Sequence, residues 1–201
     1  VSLITSSIQL IEKQYPDIQN FICWDMVTSN LTSLKNLFYE INNAKTYYTI
    51  TKKMVNIPIF IESFKEFITP LFSSDSVSTI QCIYEVEENL PPIAFDMMRI
   101  QDVMLNLTKN AIEAMTYSPS KQLTIRIFQK ENFLCISFTD SGTGMDAETL
   151  SSIFKPMFTT KESGNGFGLV IAKHIVELHN GNLLCDSILN QGTTFTIQLP
   201  F

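Results

Sequence analysis

The sequence predicts an α+β protein in two parts, a helical hairpin over residues 1–48 and a mixed α and β domain over residues 52–201. Three observations carry that prediction. Within residues 1–48 apolar side chains recur at alternating three- and four-residue steps, the spacing of a helix stripe. After residue 51 the pattern gives way to alternating strand-like and helix-like stretches. The 201 residues are 45% hydrophobic and 17% charged, which supplies one or two cores and is too apolar for a disordered chain.

Taken in order, Ile4, Ile8, Ile11 and Tyr15 form the first stripe, which Pro16 and Asp17 interrupt. Trp24, Val27, Leu31, Leu34, Phe38 and Ile41 form a second, with polar residues off the seam. Two such helices cannot cover both stripes alone. A second copy is expected to complete a four-helix bundle, making the protein a homodimer through residues 1–48. In the second part, strands are expected at 53–57, 79–85, 122–129, 133–140, 182–187 and 193–199. Helices are expected at 58–72, with Pro58 in the first turn, and at 97–115, 147–154 and 167–179, the last stopped by Asn180-Gly181. Residues 156–166, rich in Thr, Gly and Ser, read as a mobile loop.

Fourteen Lys and Arg against twenty Asp and Glu give a net charge of -6, so no chain-wide cationic field exists for nucleic acid or anionic lipid. Cys23, Cys82, Cys135 and Cys185 are dispersed without a C-x-x-C pair, which argues against a zinc site or a disulfide framework and suits a reducing cytoplasm. No apolar run reaches the roughly 18 residues of a membrane helix, so no membrane contact is expected of these residues. The chain opens at Val1 in what reads as mid-helix, and the gene product is expected to continue upstream.

Several side chains carry possible chemistry. On the 97–115 helix, Asn106, Asn110 and Glu113 share one face, and carboxamide oxygens at that spacing can ligate Mg2+; a plain solvated face satisfies the same pattern. Asp140-Ser-Gly142-Thr-Gly144 closes a strand. Its carboxylate can accept from an exocyclic amine such as that of adenine, and its glycines permit close approach to a flat base, although a simple turn would read the same way. Gly164-Asn-Gly166-Phe-Gly168-Leu169 runs into a helix whose first N–H groups could hold phosphate, or it is a flexible linker. Thr160 and Lys161 precede it and could close on a terminal phosphate or stand exposed. No P-loop, dinucleotide fingerprint or protein-kinase motif is present. His174 and His179 lack matched ligands and read as structural or surface residues.

In this order, Asn106-Leu-Thr-Lys-Asn110-Ala-Ile-Glu-Ala114, Asp140-Ser-Gly-Thr-Gly144, Phe154-Lys-Pro-Met-Phe158-Thr-Thr-Lys161, Gly164-Asn-Gly-Phe-Gly168-Leu and Gly192-Thr-Thr-Phe195 resemble the N, G1, F and G2 boxes and final Gly-Thr motif of bacterial sensor histidine kinases. The resemblance spans the chain: residues 1–48 look like the dimerisation and histidine phosphotransfer hairpin, and 52–201 like the catalytic ATP-binding domain. It implies an α/β sandwich with a mixed sheet, as in gyrase, Hsp90 and MutL, binding ATP with Mg2+ under a lid. By that resemblance Asn110 would ligate Mg2+, Asn106 would sit near the phosphates, and Asp140 would read adenine. Gly142, Gly144, Gly164, Gly166, Gly168 and Leu169 would shape the nucleotide loops, and Thr193 would line the base pocket. Phe154 and Phe158 would anchor the lid, with Thr160 and Lys161 near the γ-phosphate.

The resemblance also implies a reaction. Hydrolases of the superfamily carry a water-activating Glu where this helix has Asn106, and an amide is no general base. Transfer of the γ-phosphoryl group to a protein histidine, for relay to a response regulator receiver domain, is therefore expected, with Asn106 and Lys161 as the catalytic pair. The acceptor motif His-Glu-x-x-Asn-Pro is absent; it is expected within about two helical turns upstream of Val1, and these residues alone are expected not to label themselves. The alternatives are an ATP-binding dimeric scaffold without phosphotransfer, a gyrase- or Hsp90-like ATP hydrolase, which Asn106 and the hairpin disfavour, and an anti-sigma type serine kinase, which leaves the hairpin unexplained. A cytoplasmic location is expected, with any membrane anchor of the parent protein lying outside these residues.

Overall fold

The computed structural model describes residues 8, 10–21, 23, 24, 26–28, 50–72, 80–161 and 166–201. The chain divides into two compact units, Val1–Thr49 and Ile50–Phe201. In the first, residues 10–14 are helical, and a 3-10 helix follows at Pro16–Asn20 with proline in its first turn. Trp24 Nε1 donates to Glu12 Oε1 at 3.1 Å, tying the stretches on either side of Pro16. Most of the predicted second stripe, from Leu31 to Ile41, lies outside the described residues, as does Ile4.

The second unit is built on a five-stranded mixed sheet. In chain order its elements are β1 (Lys53–Val55), α1 (Ile57–Ile68), β2 (Gln81–Val86), β3 (Ile93–Phe95), α2 (Met97–Ala114), β4 (Gln122–Lys130), β5 (Phe133–Asp140), α3 (Ala147–Leu150), α4 (Gly168–Leu178), β6 (Asn182–Ile188) and β7 (Gly192–Pro200). The sheet order is β2-β4-β5-β7-β6, with β2 parallel to β4 and the other pairs antiparallel. β1 and β3 form a separate antiparallel pair. The resulting layering, helices over a mixed sheet, is the α/β sandwich expected from the motifs.

Local sequence accounts for the elements. α1 starts at Asn56, whose side chain accepts from Ile59 N–H at 3.2 Å, and it buries Ile57, Phe60, Ile61, Phe64 and Ile68. α2 starts at Asp96, which caps Arg99 N–H at 3.2 Å, and buries Ile100, Val103, Met104, Leu107 and Ala111. In β4 the buried residues alternate as Leu123, Ile125 and Ile127, whereas β5 is buried almost throughout, as a central strand must be. α2 packs against α4 and β5, which brings the polar face of α2 to the ends of β5 and β7.

Three expectations are corrected. β3 was not predicted, because three residues after Pro91-Pro92 give too short a run to show alternation. The helix expected at 58–72 starts at Ile57 and ends at Ile68, where a 3-10 turn takes over at Thr69–Phe72 around Pro70, whose missing N–H ends the α-helical ladder. The helix expected at 147–154 closes at Leu150 and continues as turns.

His179 is structural, as expected. It is buried, its Nδ1 pairs with the Ile175 carbonyl at 2.7 Å, and its Nε2 accepts from Asp96 N–H at 2.9 Å. Asp96 in turn accepts from Thr51 N–H at 2.8 Å, and Lys52 Nζ donates to the His179 carbonyl at 3.3 Å. This network joins the C-terminus of α4 to the N-terminus of α2, holding the two helices that flank the site.

Candidate functional site

A cleft of about 550 Å³ opens between α2, the C-terminal end of β5, the N-terminal end of β7 and the N-terminus of α4. At its inner end is Asp140, 5% exposed, the last residue of β5 and the register partner of Thr193. Gly142 N–H donates to its Oδ1 at 2.8 Å. Burial nonetheless dominates, pushing the carboxyl up to about 6 against the lowering effect of the Gly142 and Thr193 backbone bonds. A carboxylate with spare acceptor capacity at the base of a half-apolar cleft suits an amine donor such as that of adenine. Guanine would present a carbonyl there and be repelled.

The loop after Asp140 is held rigidly. Thr143 N–H donates to the Ala114 carbonyl at 3.2 Å, Asn190 N–H to the Thr143 carbonyl at 2.6 Å, and Met145 N–H to Ser187 Oγ at 2.9 Å. Gly142 is required by space: a Cβ would lie 2.7 Å from Asp140 Oδ1 and 2.8 Å from Ala114 Cβ. Gly144 has φ +60°, and a Cβ on it would run into the Ile188 carbonyl. Gly142 is buried behind Asp140, whereas Gly144, Thr193 and Leu169 line the cleft directly.

At the other end Asn106 meets the start of α4. A Cβ on Gly168 would lie 2.7 Å from Asn106 Oδ1, so only glycine lets the helix terminus approach this closely. Asn106 Nδ2 is buried with no hydrogen-bond partner, an N–H donor directed at nothing. The residue before α4, Phe167, offers no side-chain acceptor to cap the helix. An orphaned donor beside an uncapped helix N-terminus fits an anion, and phosphate is the natural one.

Lys161 bridges these ends. Its Nζ donates to Asn110 Oδ1 at 2.8 Å and forms an ion pair with Glu113 Oε2. Thr160 and Gly166 line the cleft alongside it. Gly164 lies outside the described residues. Phe158 lines the cleft wall, and the Lys173 ammonium lies 5.1 Å from the centre of the Phe154 ring. Among the described residues no three His, Cys, Asp or Glu side chains cluster as a metal cage, so an ion here would draw most of its ligands from water and phosphate, the habit of Mg2+.

The sequence motifs did not single out the apolar wall at Ile153 or Tyr117 at the rim, which is 93% exposed, and they gave no role to Phe195, which ends the Gly-Thr motif and forms a second apolar wall. Ile153 adjoins a recognised motif and Phe195 ends one, and their hydrophobicity alone reads as core. Tyr117 follows α2 in a turn with no pattern to mark it.

The fold and cleft define a nucleotide-binding α/β sandwich domain. Residues 95–201 match the family of histidine kinase-, DNA gyrase B- and HSP90-like ATPases, and the chain belongs to that family. Within it, the domain is that of a bacterial sensor histidine kinase. Sporulation kinase E of Bacillus subtilis is 34% identical over 125 residues, 62% of this chain and 17% of that protein. Sensor histidine kinase ZraS of Salmonella typhimurium is 40% identical over 134 residues, 65% of this chain and 28% of that protein. The chain thus spans under a third of the length of these relatives. Among solved structures, the catalytic domain of histidine kinase ThkA in a nucleotide-free form superposes with a TM-score of 0.64 at 25% identity, covering 75% of this chain and 95% of that one. Full-length ShkA, solved with AMPPNP, shares the fold with a TM-score of 0.67 at 21% identity, over 79% of this chain and 35% of that one. Among the described residues no helix is long and apolar enough to cross a membrane.

Proposed function

We propose that this chain is the catalytic core of a sensor histidine kinase, transferring the γ-phosphoryl group of ATP to a histidine for relay to a response regulator aspartate. The observation that carries the reading is Asn106, whose buried Nδ2 lacks a partner beside Gly168. An amide there can donate to a phosphate oxygen and cannot take a proton from water. Asp140 and Thr193 would fix the base, Asn106 and the α4 terminus the phosphates, and Lys161 the charge that develops on the transferred group. Asn110 would hold a Mg2+ ion, which neutralises phosphate charge when bound. The reaction then rests on alignment and charge, as phosphoryl transfer requires. A homodimer through residues 1–48 would present the acceptor, supplied from upstream of Val1, and the location would be cytoplasmic.

The test is labelling with γ-labelled ATP of the longer gene product that includes the upstream segment. Acid-labile, alkali-stable phosphate on a histidine, lost on Asn106→Ala, is the expected result. Brisk phosphate release without phosphohistidine, unaffected by Asn106→Ala, would instead establish a hydrolase. Nucleotide binding with neither outcome would establish the scaffold.

A further inference from the structure

Asn110 and Glu113 lie one turn apart on α2, and their oxygens converge on a single point, the Lys161 ammonium. Asn110 was expected to face a metal from sequence; Glu113 was noted only as sharing its face. We propose that Asn110 Oδ1 and the Glu113 carboxylate form one cation seat, held here by the Lys161 ammonium and taken by the divalent ion when the metal-nucleotide complex binds. The inference rests on the ATP-binding reading of the cleft and adds to it a second protein donor and an internal competitor.

The chemistry favours the exchange. A carboxamide and a carboxylate are hard oxygen donors, suited to a divalent ion that keeps water and phosphate oxygens as its remaining ligands. An ammonium fills the same point with half the charge. Lys161 and Glu113 are 41% and 55% exposed in their side chains, so their pairing is weak enough to be displaced. Lys161 is positioned from its own backbone, its N–H donating to Thr159 Oγ1 at 3.1 Å, so the released ammonium stays beside the phosphates. Arrival of the metal and liberation of the phosphate-binding lysine are then one event.

The experiment measures, for this chain, the affinity for ADP with Mn2+ and with chelator, and takes the ratio as the metal preference. Glu113→Gln is expected to lower that ratio about tenfold, the usual effect of losing a carboxylate that supports a metal. Lys161→Met is expected to raise it about two- to fivefold, the worth of an exposed ion pair that no longer competes. ADP lacks the γ-phosphate that Lys161 is expected to contact, so the ratio reads competition for the seat rather than a lost phosphate contact. A ratio unchanged by Glu113→Gln, or unchanged or lowered by Lys161→Met, overturns the proposal while leaving the nucleotide pocket standing. Failure of the unsubstituted chain to bind either ADP or adenosine would refute the pocket itself, and the seat with it.

Discussion

Asp140→Asn separates the energetic burden of the base pocket from its use. Burial raises this carboxyl from 3.8 to about 6, which sets about 3 kcal/mol against the folded state once the group is ionised in both states. The sign follows from proton binding. Below pH 3.8 both states are protonated and the penalty is absent; between 3.8 and about 6 the folded state holds the extra proton, so stability falls as pH rises, and above about 6 the loss is complete. Asparagine is neutral throughout and lacks this dependence. Urea melts of both proteins at pH 5 and pH 8 should therefore show the variant gaining about 1.4 kcal/mol relative to the parent between those values. Constant terms, such as an unpaired Asn N–H, cancel in the pH difference, as does titration of His179, which is common to both proteins. A relative stability that is flat with pH, or that shifts toward the parent at pH 8, would refute the claim that Asp140 is held as a strained, desolvated acid.

Gly168→Ala places a methyl group against Asn106 Oδ1, the movable end of a side chain, so the fold should survive with a melting temperature within a few degrees of the parent. ATP affinity should fall about tenfold while adenosine affinity is preserved, since only the phosphate end is disturbed; an equal loss of both would contradict the division of the cleft. Burial lowers the His179 pKa, so unfolding gains a proton at acid pH and the stability this group supports is present above pH 6.5 and lost below it. His179→Leu leaves Asp96 N–H without its acceptor and should cost about 1–3 kcal/mol at pH 8, less at pH 5.5, measured by chemical denaturation.

Much of the second unit was legible because its elements obey local rules. Residues 133–140 and 97–115 matched their elements to within one residue, since a polar face, a cap and a long apolar period coincide in α2 and a continuous apolar run marks β5. β3 was illegible for the opposite reason: Ile93–Phe95 is a strand only because β1 supplies its partner. The site residues were readable as motifs, yet the relation between them was not. Nothing in the spacing of Asn106 and Gly168 foretold that one side chain would press on the other, nor that Lys161, 48 residues beyond Glu113, would pair with it. Such contacts are made by α2 packing on α4, and they appear only when the sheet has brought the two helices together.

The most direct measurement is calorimetric titration of this chain with Mg-ATP and Mg-GTP, beside Asp140→Asn. Binding of ATP, with GTP at least tenfold weaker and with ATP binding by the variant reduced about 10- to 100-fold, is the expected result. Equal binding of the two nucleotides, or ATP binding indifferent to Asp140→Asn, would contradict the assignment of Asp140 as the reader of adenine.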